Sequence, residues 1–256
     1  MNENKVSLAQ NGATKRQAIA APADARFLLI DHSIKNILDP DQGDEMPKVG
    51  MEPVRRKALV DATLRAVGDH GSLTVTMSEI ARHAGVSPAL AHHYFGSKEQ
   101  LVIETIRSLL RTLRADTVSA LREATTPRER LSAIIRINFQ AHQFAPETVA
   151  AWLAFYSEAQ RSEAVRRLLV VYARRLNSNL LASLRQLCPD GRAGEIADGA
   201  AAMIDGLYLR QGLKSAPVSI ESSIALTEGY LNAQLAAVAG AASTAAGRRP
   251  SVTQAR

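Results

Sequence analysis

The sequence predicts an all-α protein of about nine helices. Three observations predict it. Long stretches rich in Ala, Leu, Arg and Glu place apolar residues at three- and four-residue spacings. Strand-like alternation is nearly absent. Helix starts are marked by Pro in a first turn or by a Ser or Thr cap, at Pro53, Thr76, Ser87-Pro88, Ser97, Thr126-Pro127, Pro146, Ser162 and Ser219.

Taken in order, the first helix runs from Pro53 to about His70 and stops at Gly71, with Leu59, Ala62, Ala66 and Val67 facing a small core. The second is short and opens at Thr76. Ile80, Ala81 and Ala84 give it a narrow apolar face, and Ala81 is small enough for another helix to cross closely. Gly85 can take a left-handed backbone, Val86 plugs the corner, Ser87 caps the third helix and Pro88 starts it with a preset φ. The third helix, Pro88 to Tyr94, ends before Gly96. A long fourth begins at Ser97, and further starts at Thr126, Pro146 and Ser162 follow, the last opening a long seventh helix that ends near Pro189. The final two span about Ala193 to Gly212 and Ile220 to Leu235.

The flanks read differently. Residues 1–45 mix polar, Ala and Gly residues with one short apolar patch, Phe27 to Ile30, and read as a flexible extension before Met46, where the patterned region opens as a natural start. Residues 238–256 are dominated by Ala, Gly, Ser and Arg without period and read as a disordered tail. The expected domains are therefore 46–113, a small unit built on the first helices, and 114–237, a larger helical one.

Composition narrows the function. Hydrophobic residues make up 46% of the chain, which suits a packed core rather than disorder. The single cysteine, Cys188, excludes an internal disulfide framework and suits a reducing compartment. With no apolar run long enough to span a bilayer and no basic-then-apolar leader pattern, the expectation is a cytoplasmic protein with no membrane partner. A net charge of +6 permits a polyanionic partner without requiring one. The sequence holds no Gly-rich phosphate loop, no His-Glu-x-x-His pair and no recognisable nucleophile motif, so no enzyme, no catalytic residue and no cofactor is expected. His92 and His93 are adjacent, so their side chains diverge by about 100° around a helix and cannot share a metal as an i, i+4 pair can.

The second and third helices with their Gly85 corner form a helix-turn-helix pattern. Laid in a major groove, the third helix offers Ala89, Ala91, His92 and His93 outward while Leu90 faces inward. An ordinary helical hairpin is the plainer reading. Tyr94 and Phe95, then Ser97 and Lys98 at the start of the long helix, favour the first: free backbone N–H groups and an ammonium there can hold a phosphate. Arg55, Arg56 and Lys57 can grip flanking backbone.

Farther on, Trp152, Phe155 and Tyr156 stand at i, i+3 and i+4, which puts their rings on one side of a helix as either a core stripe or a ligand face. Asp205 and Tyr208 bring a carboxylate and a phenol into an apolar face with Met203, Ile204 and Leu207. A buried carboxylate needs a partner, which Arg174, Arg175 or a cationic ligand could supply. Aromatic faces with one anion suit a quaternary ammonium, held by cation–π attraction of roughly 0.5 to 2 kcal/mol per ring.

Residues 53 to about 113 resemble the DNA-binding domain of the TetR family of bacterial repressors, on Ile80-Ala81, Ala84-Gly85-Val86-Ser87, Tyr94-Phe95 and Ser97-Lys98-Glu99. Met46-Pro47-Lys48-Val49-Gly50-Met51, Pro53, Arg55-Arg56, Trp152-Leu153-Ala154-Phe155, Arg174 to Leu180, and Leu207-Tyr208-Leu209-Arg210 resemble its choline-responsive branch, from Met46 to about Leu235. The resemblance implies a homodimer on double-stranded, pseudo-palindromic operator DNA, with recognition helices about one turn of duplex apart, roughly 34 Å or slightly more. It implies a DNA-facing set of Arg55, Arg56, Thr76, Ser87, Pro88, Ala89, Ala91, His92, His93, Tyr94 and Lys98. It also implies repression of glycine betaine synthesis genes that choline, or a related quaternary ammonium, relieves through Trp152, Phe155, Tyr156, Asp205 and Tyr208. Ala197, Ala200, Ala201, Ile204, Ile224, Ala225, Tyr230 and Leu231 can build either core or a two-fold seam, which the resemblance favours. Two alternatives stay open: a repressor of the same type answering a different apolar or cationic compound, and a helical interaction protein without sequence-specific DNA binding.

Overall fold

Local capping decides where the helices begin. In the computed structural model, which describes residues 50–213 and 219–247, Thr76 and Thr126 each form a reciprocal box with a glutamate three residues on, Glu79 and Glu129. Ser87, Ser97 and Ser162 each accept a backbone N–H from the first turn they precede. Ser219 and Ser222 exchange such bonds at 3.0 and 3.1 Å. The extension expected over residues 1–45, the Met46 to Val49 stretch and residues 248–256 of the expected tail lie outside the described residues.

Nine helices result among the described residues: α1 (Met51–His70), α2 (Met77–His83), α3 (Pro88–Phe95), α4 (Lys98–Glu123), α5 (Pro127–Asn138), α6 (Pro146–Glu158), α7 (Glu163–Leu184), α8 (Asp190–Leu213) and α9 (Ile220–Gly247). One expectation is corrected here. The chain stays helical to Gly247, past residue 237, where the sequence pattern gives way to a tail. The reason is propensity: an Ala-rich, Pro-free run forms helix readily even without an apolar period.

The architecture is two helical units sharing one element. α1, α2, α3 and the start of α4 enclose a core of fully buried Leu59, Ala62, Val67, Ile80, Ala81, Ala91 and Leu101. The remaining helices pack as a bundle in which α4 touches α5 and α7, α5 touches α7 and α9, and α8 touches α6, α7 and α9. The residue 113/114 boundary expected from sequence falls inside α4, which is continuous through both units. A second joint is the broad face between α1 and α6. There Gly68 lies so close to the backbone of Glu147 that a Cβ would stand 2.5 Å from the Glu147 carbonyl oxygen.

The last two helices divide the residues that could build either core or seam. Ala197, Ala200, Ile204 and Leu231 are fully buried inside one chain, because α8 and α9 pack on each other through small residues, with the Tyr230 hydroxyl occupying the space a side chain at Gly199 would need. Those four serve the core, whereas Ala201, Ile224 and Tyr230 are half-buried and Ala225 is exposed. Large apolar side chains exposed on α8 and α9 include Leu209, Leu213 and Leu226. Among the described residues no helix is long and apolar enough to cross a membrane.

Candidate functional site

The first candidate surface is built by the α2–α3 corner. α2 ends in a Schellman arrangement: the Val86 N–H donates to the Ala81 carbonyl at 3.0 Å and the Gly85 N–H to the Arg82 carbonyl at 3.2 Å. Gly85 takes φ +68°, a conformation that favours glycine, and Val86 turns back onto the core beside Ala81. This sets the angle at which α3 leaves, with Ser87 and Pro88 at its first turn. Pro88, Ala89, His92 and His93 are exposed along it.

The structure places several expected residues differently. Ala91 is fully buried, because it shares the inward face with Phe95 four residues on, and Leu90 is half-buried rather than wholly inward. Ala91 therefore cannot face a groove. Arg56 is half-exposed: its guanidinium donates to the Tyr94 carbonyl at 2.6 Å, lies 4.5 Å from the centre of the Phe95 ring and pairs with Glu52 at 3.8 Å, tying α1 to α3. Arg55 is exposed, as is Lys57, which pairs with Asp61 at 2.6 Å. Thr76 and Ser87 are exposed caps, and Tyr94 is half-buried against the core, with its ring 5.5 Å from that of His93. Lys98 donates to the Leu73 carbonyl at 3.0 Å, strapping the start of α4 to the α1–α2 loop.

His92 Nδ1 lies 3.0 Å from the Gly96 carbonyl oxygen, a bond that needs the proton on Nδ1. In the neutral ring Nε2 is then an outward acceptor; in the protonated ring it is a donor. Exposed His92 and His93 together with Arg55 and Arg82 give this corner a polar and cationic face suited to duplex DNA.

The second candidate site is a cavity in the bundle, lined by Leu113, Asn138, Gln143, Trp152, Tyr156, Tyr172, Asp205 and Tyr208. The Trp152 ring lies 5.2 Å from Tyr172 and 6.1 Å from Tyr156, and Tyr208 closes another side in contact with Phe139 and Phe144. The Tyr208 hydroxyl donates to the Asn138 carbonyl at 2.5 Å. Phe155, expected at a ligand face, packs edge-on against Trp152 in the core instead. The helix turns by about 100° per residue, so Tyr156 takes the cavity and Phe155 does not.

Asp205 reaches the surface at the cavity mouth, yet its carboxyl is hemmed in closely enough for burial to raise its pKa above the usual carboxylate range, against the opposing effect of a 3.4 Å hydrogen bond from the Tyr156 hydroxyl. Neither Arg174 nor Arg175 reaches it. No Lys or Arg pairs with Asp205 among the described residues, so its one polar partner is a neutral phenol. Burial first, and then the Asp205 charge, hold the Tyr156 and Tyr208 phenols well above their ordinary pKa, and they remain protonated donors at neutral pH. Tyr172, Asn138, Gln143 and Leu113 are the lining residues that sequence reasoning missed. They arrive from α7, α5, the α5–α6 loop and α4, elements whose approach to α6 no local pattern announces. The cavity has a free volume of about 10 Å³, space for about one water molecule.

A helix-turn-helix with a polar, cationic face, joined to a separate helical bundle with an aromatic and anionic cavity, has the architecture of a DNA-binding regulator. Comparison with known proteins agrees. Residues 59–105 match the family described as "Bacterial regulatory proteins, tetR family", and residues 127–236 match "BetI-type transcriptional repressor, C-terminal". The HTH-type transcriptional regulator BetI of Rhizobium meliloti (strain 1021) is 77% identical over 192 residues, 75% of this chain and 95% of that protein. Its counterpart in Agrobacterium fabrum is 68% identical over 190 residues, 74% of this chain and 92% of that protein. Among solved structures, a transcriptional regulator from Pseudomonas aeruginosa PAO1 superposes with a TM-score of 0.63 at 28% identity, covering 72% of this chain and 91% of its own. A regulator from Saccharomonospora viridis solved in complex with choline shares the fold with a TM-score of 0.62 at 20% identity, covering 70% and 96%. The chain belongs to the TetR family and, within it, to the BetI-type repressors. It is a DNA-binding transcriptional repressor that works as a homodimer, and not an enzyme.

Proposed function

We propose that this repressor controls the genes converting choline to glycine betaine, that choline relieves the repression, and that choline's trimethylammonium head sits among Trp152, Tyr156, Tyr172 and Tyr208 with Asp205 as its counter-charge. The observation that carries this reading is Asp205, a crowded carboxylate beside aromatic rings with no cation to pair with. A quaternary ammonium supplies the missing charge without demanding a hydrogen-bond acceptor, and each ring face adds cation–π attraction. The BetI relatives support the same ligand class.

Binding must also change the protein. A free volume of about 10 Å³ cannot hold choline, so α6, α7 and α8 have to separate for it to enter. α6 carries Trp152 at its middle and Tyr156 in its last turn, and its first turn packs against α1 through Glu147. Opening the cavity therefore loads the joint that orients α3. Choline acts by preferring the opened arrangement, since a ligand with equal affinity for both states shifts nothing. The two subunits meet through the exposed Leu209, Leu213 and Leu226 of α8 and α9.

Titration calorimetry with choline tests the ligand, with ethanolamine as an unmethylated control. Wild type should bind choline, and Trp152→Ala should weaken it about tenfold or more through loss of one ring face and its burial. No heat with wild type would reject choline as effector, while unchanged affinity in a folded Trp152→Ala would reject this cavity and leave the repressor standing.

A further inference from the structure

The cavity carries more polarity than a quaternary ammonium uses. Asn138 and Gln143 line it beside the rings and are 4% and 1% exposed. The Asn138 amide is oriented without ambiguity, because its Nδ2 donates to the Ile134 carbonyl at 2.8 Å and only an NH2 can face a carbonyl oxygen. Its backbone carbonyl accepts from Tyr208 at 2.5 Å, so the residue is held from two sides. Oδ1 is left with no donor among the described residues. It is not sealed in apolar packing either: Ser183 Oγ is the only side-chain oxygen or nitrogen that is both sealed and unpartnered among them. Gln143 is held more loosely. Its amide nitrogen lies 3.3 Å from His142 Nε2, an atom already 3.0 Å from Asp116 Oδ2. One ring nitrogen cannot serve both fully, so this amide can turn to a new partner.

An acceptor that a bound ligand seals from water without supplying a donor costs about 1 to 3 kcal/mol. A trimethylammonium head has no N–H to give. In a short N-trimethylated amino alcohol the one donor is the hydroxyl. We propose that Asn138 Oδ1 accepts the hydrogen bond of the ligand's alcohol, with the Gln143 amide turning to donate to the same oxygen, so that the cavity selects the hydroxyl as well as the charged head. This rests on the choline reading and adds its specificity determinant. Charge and rings alone would take any quaternary ammonium that fits. An amide oxygen held by α5 and Tyr208 rejects those lacking a donor at the right end, because binding them leaves it buried and unpaired.

Calorimetry with two ligands tests it, choline and ethyltrimethylammonium, which lacks only the hydroxyl. Wild type should prefer choline by about ten- to a hundredfold, corresponding to the same unpaired-acceptor cost. Asn138→Leu should bring that ratio close to one while largely keeping ethyltrimethylammonium affinity, and Gln143→Met should lower it less. Circular dichroism checks folding, and the wild-type ratio stands even if one variant fails to fold. Equal affinity for the two ligands in wild type would overturn the hydroxyl assignment and leave the quaternary ammonium reading intact. A wild-type preference unchanged in both folded variants would overturn the role of these amides. Binding of neither ligand would overturn both readings.

Discussion

Replacing Gly68 by alanine tests the joint between the two units, because two opposite effects meet there. A Cβ at Gly68 would lie 2.5 Å from the Glu147 carbonyl oxygen and 2.8 Å from its Cα and Cβ, where ordinary contact begins at 3.4 Å. The carbonyl oxygen and Cα are backbone atoms, so no rotamer change relieves the overlap. α1 and α6 would have to part by about 0.9 Å, the difference between 3.4 and 2.5 Å. Alanine in a helix interior gains about 0.8 to 1 kcal/mol over glycine. Overpacking a close backbone contact costs about 1 to 3 kcal/mol. The contact should win, giving a net loss of about 1 kcal/mol in urea unfolding. The larger consequence is for DNA: a shifted α1 carries α3 with it, and operator affinity by fluorescence anisotropy should fall about tenfold, roughly 1.4 kcal/mol. If the variant were instead more stable by the full helix-propensity gain, with operator affinity unchanged, the helices would not meet as closely as this geometry requires, and the coupling through α6 would fail with it.

Two further outcomes follow from charge. Lys98→Ala should weaken cognate and noncognate DNA by similar factors and reduce the salt slope of binding by about one unit, since the ammonium can keep the Leu73 carbonyl while turning another donor to a phosphate; an unchanged slope would limit Lys98 to its internal strap. Burial raises the folded-state pKa of Asp205, so its contribution favours the folded chain below the unfolded value of about 3.9 and is lost as pH rises through the folded value. Asp205→Asn should therefore stabilise the ligand-free protein at pH 7 and flatten its melting temperature across that window, while weakening choline binding. A melting temperature at pH 7 below that of wild type would mean the carboxylate already has a stabilising partner.

What was legible in the sequence was local. Thr76, Gly85, Ser87 and Pro88 specify the corner through bonds spanning six residues or fewer, so their pattern alone outlines the helix-turn-helix. The rotation of a helix about its own axis is not local. Ala91 looks as free as Ala89 in the sequence, and only the packing of α3 on its neighbours turns it inward with Phe95. Phe155 and Tyr156 are equivalent members of an aromatic stripe until α7 brings Tyr172 to one side of it. Asn138 sits at the last turn of an apolar helix, where an amide reads as an ordinary terminus, and its free oxygen has meaning only once Tyr208 and the cavity are in place. The small residues of α8 and α9 are ambiguous for the same reason: small-residue faces fit a subunit seam and an intrachain crossing equally well.

On the choline reading, the ligand-free cavity is itself part of the regulatory logic. A site already open and fitted to choline would bind it tightly but would gain nothing from changing shape, and a repressor needs the change more than the affinity. Here Asp205 is held near aromatic rings with no Lys or Arg partner and Asn138 Oδ1 with no protein donor among the described residues, and the cavity has the space of about one water molecule. Each unmet group favours the opened, liganded arrangement, whereas close packing favours the closed one. The apparent affinity is then the intrinsic affinity reduced by the small fraction of open protein, and that same fraction sets how far choline can move the equilibrium. Since α6 contributes both Trp152 to the cavity and Glu147 to the Gly68 contact, opening one end cannot leave the other unstrained. On the choline reading, substitutions that enlarge the cavity and substitutions that loosen the α1–α6 joint act on one equilibrium, and their effects on induction and on operator affinity are coupled in sign.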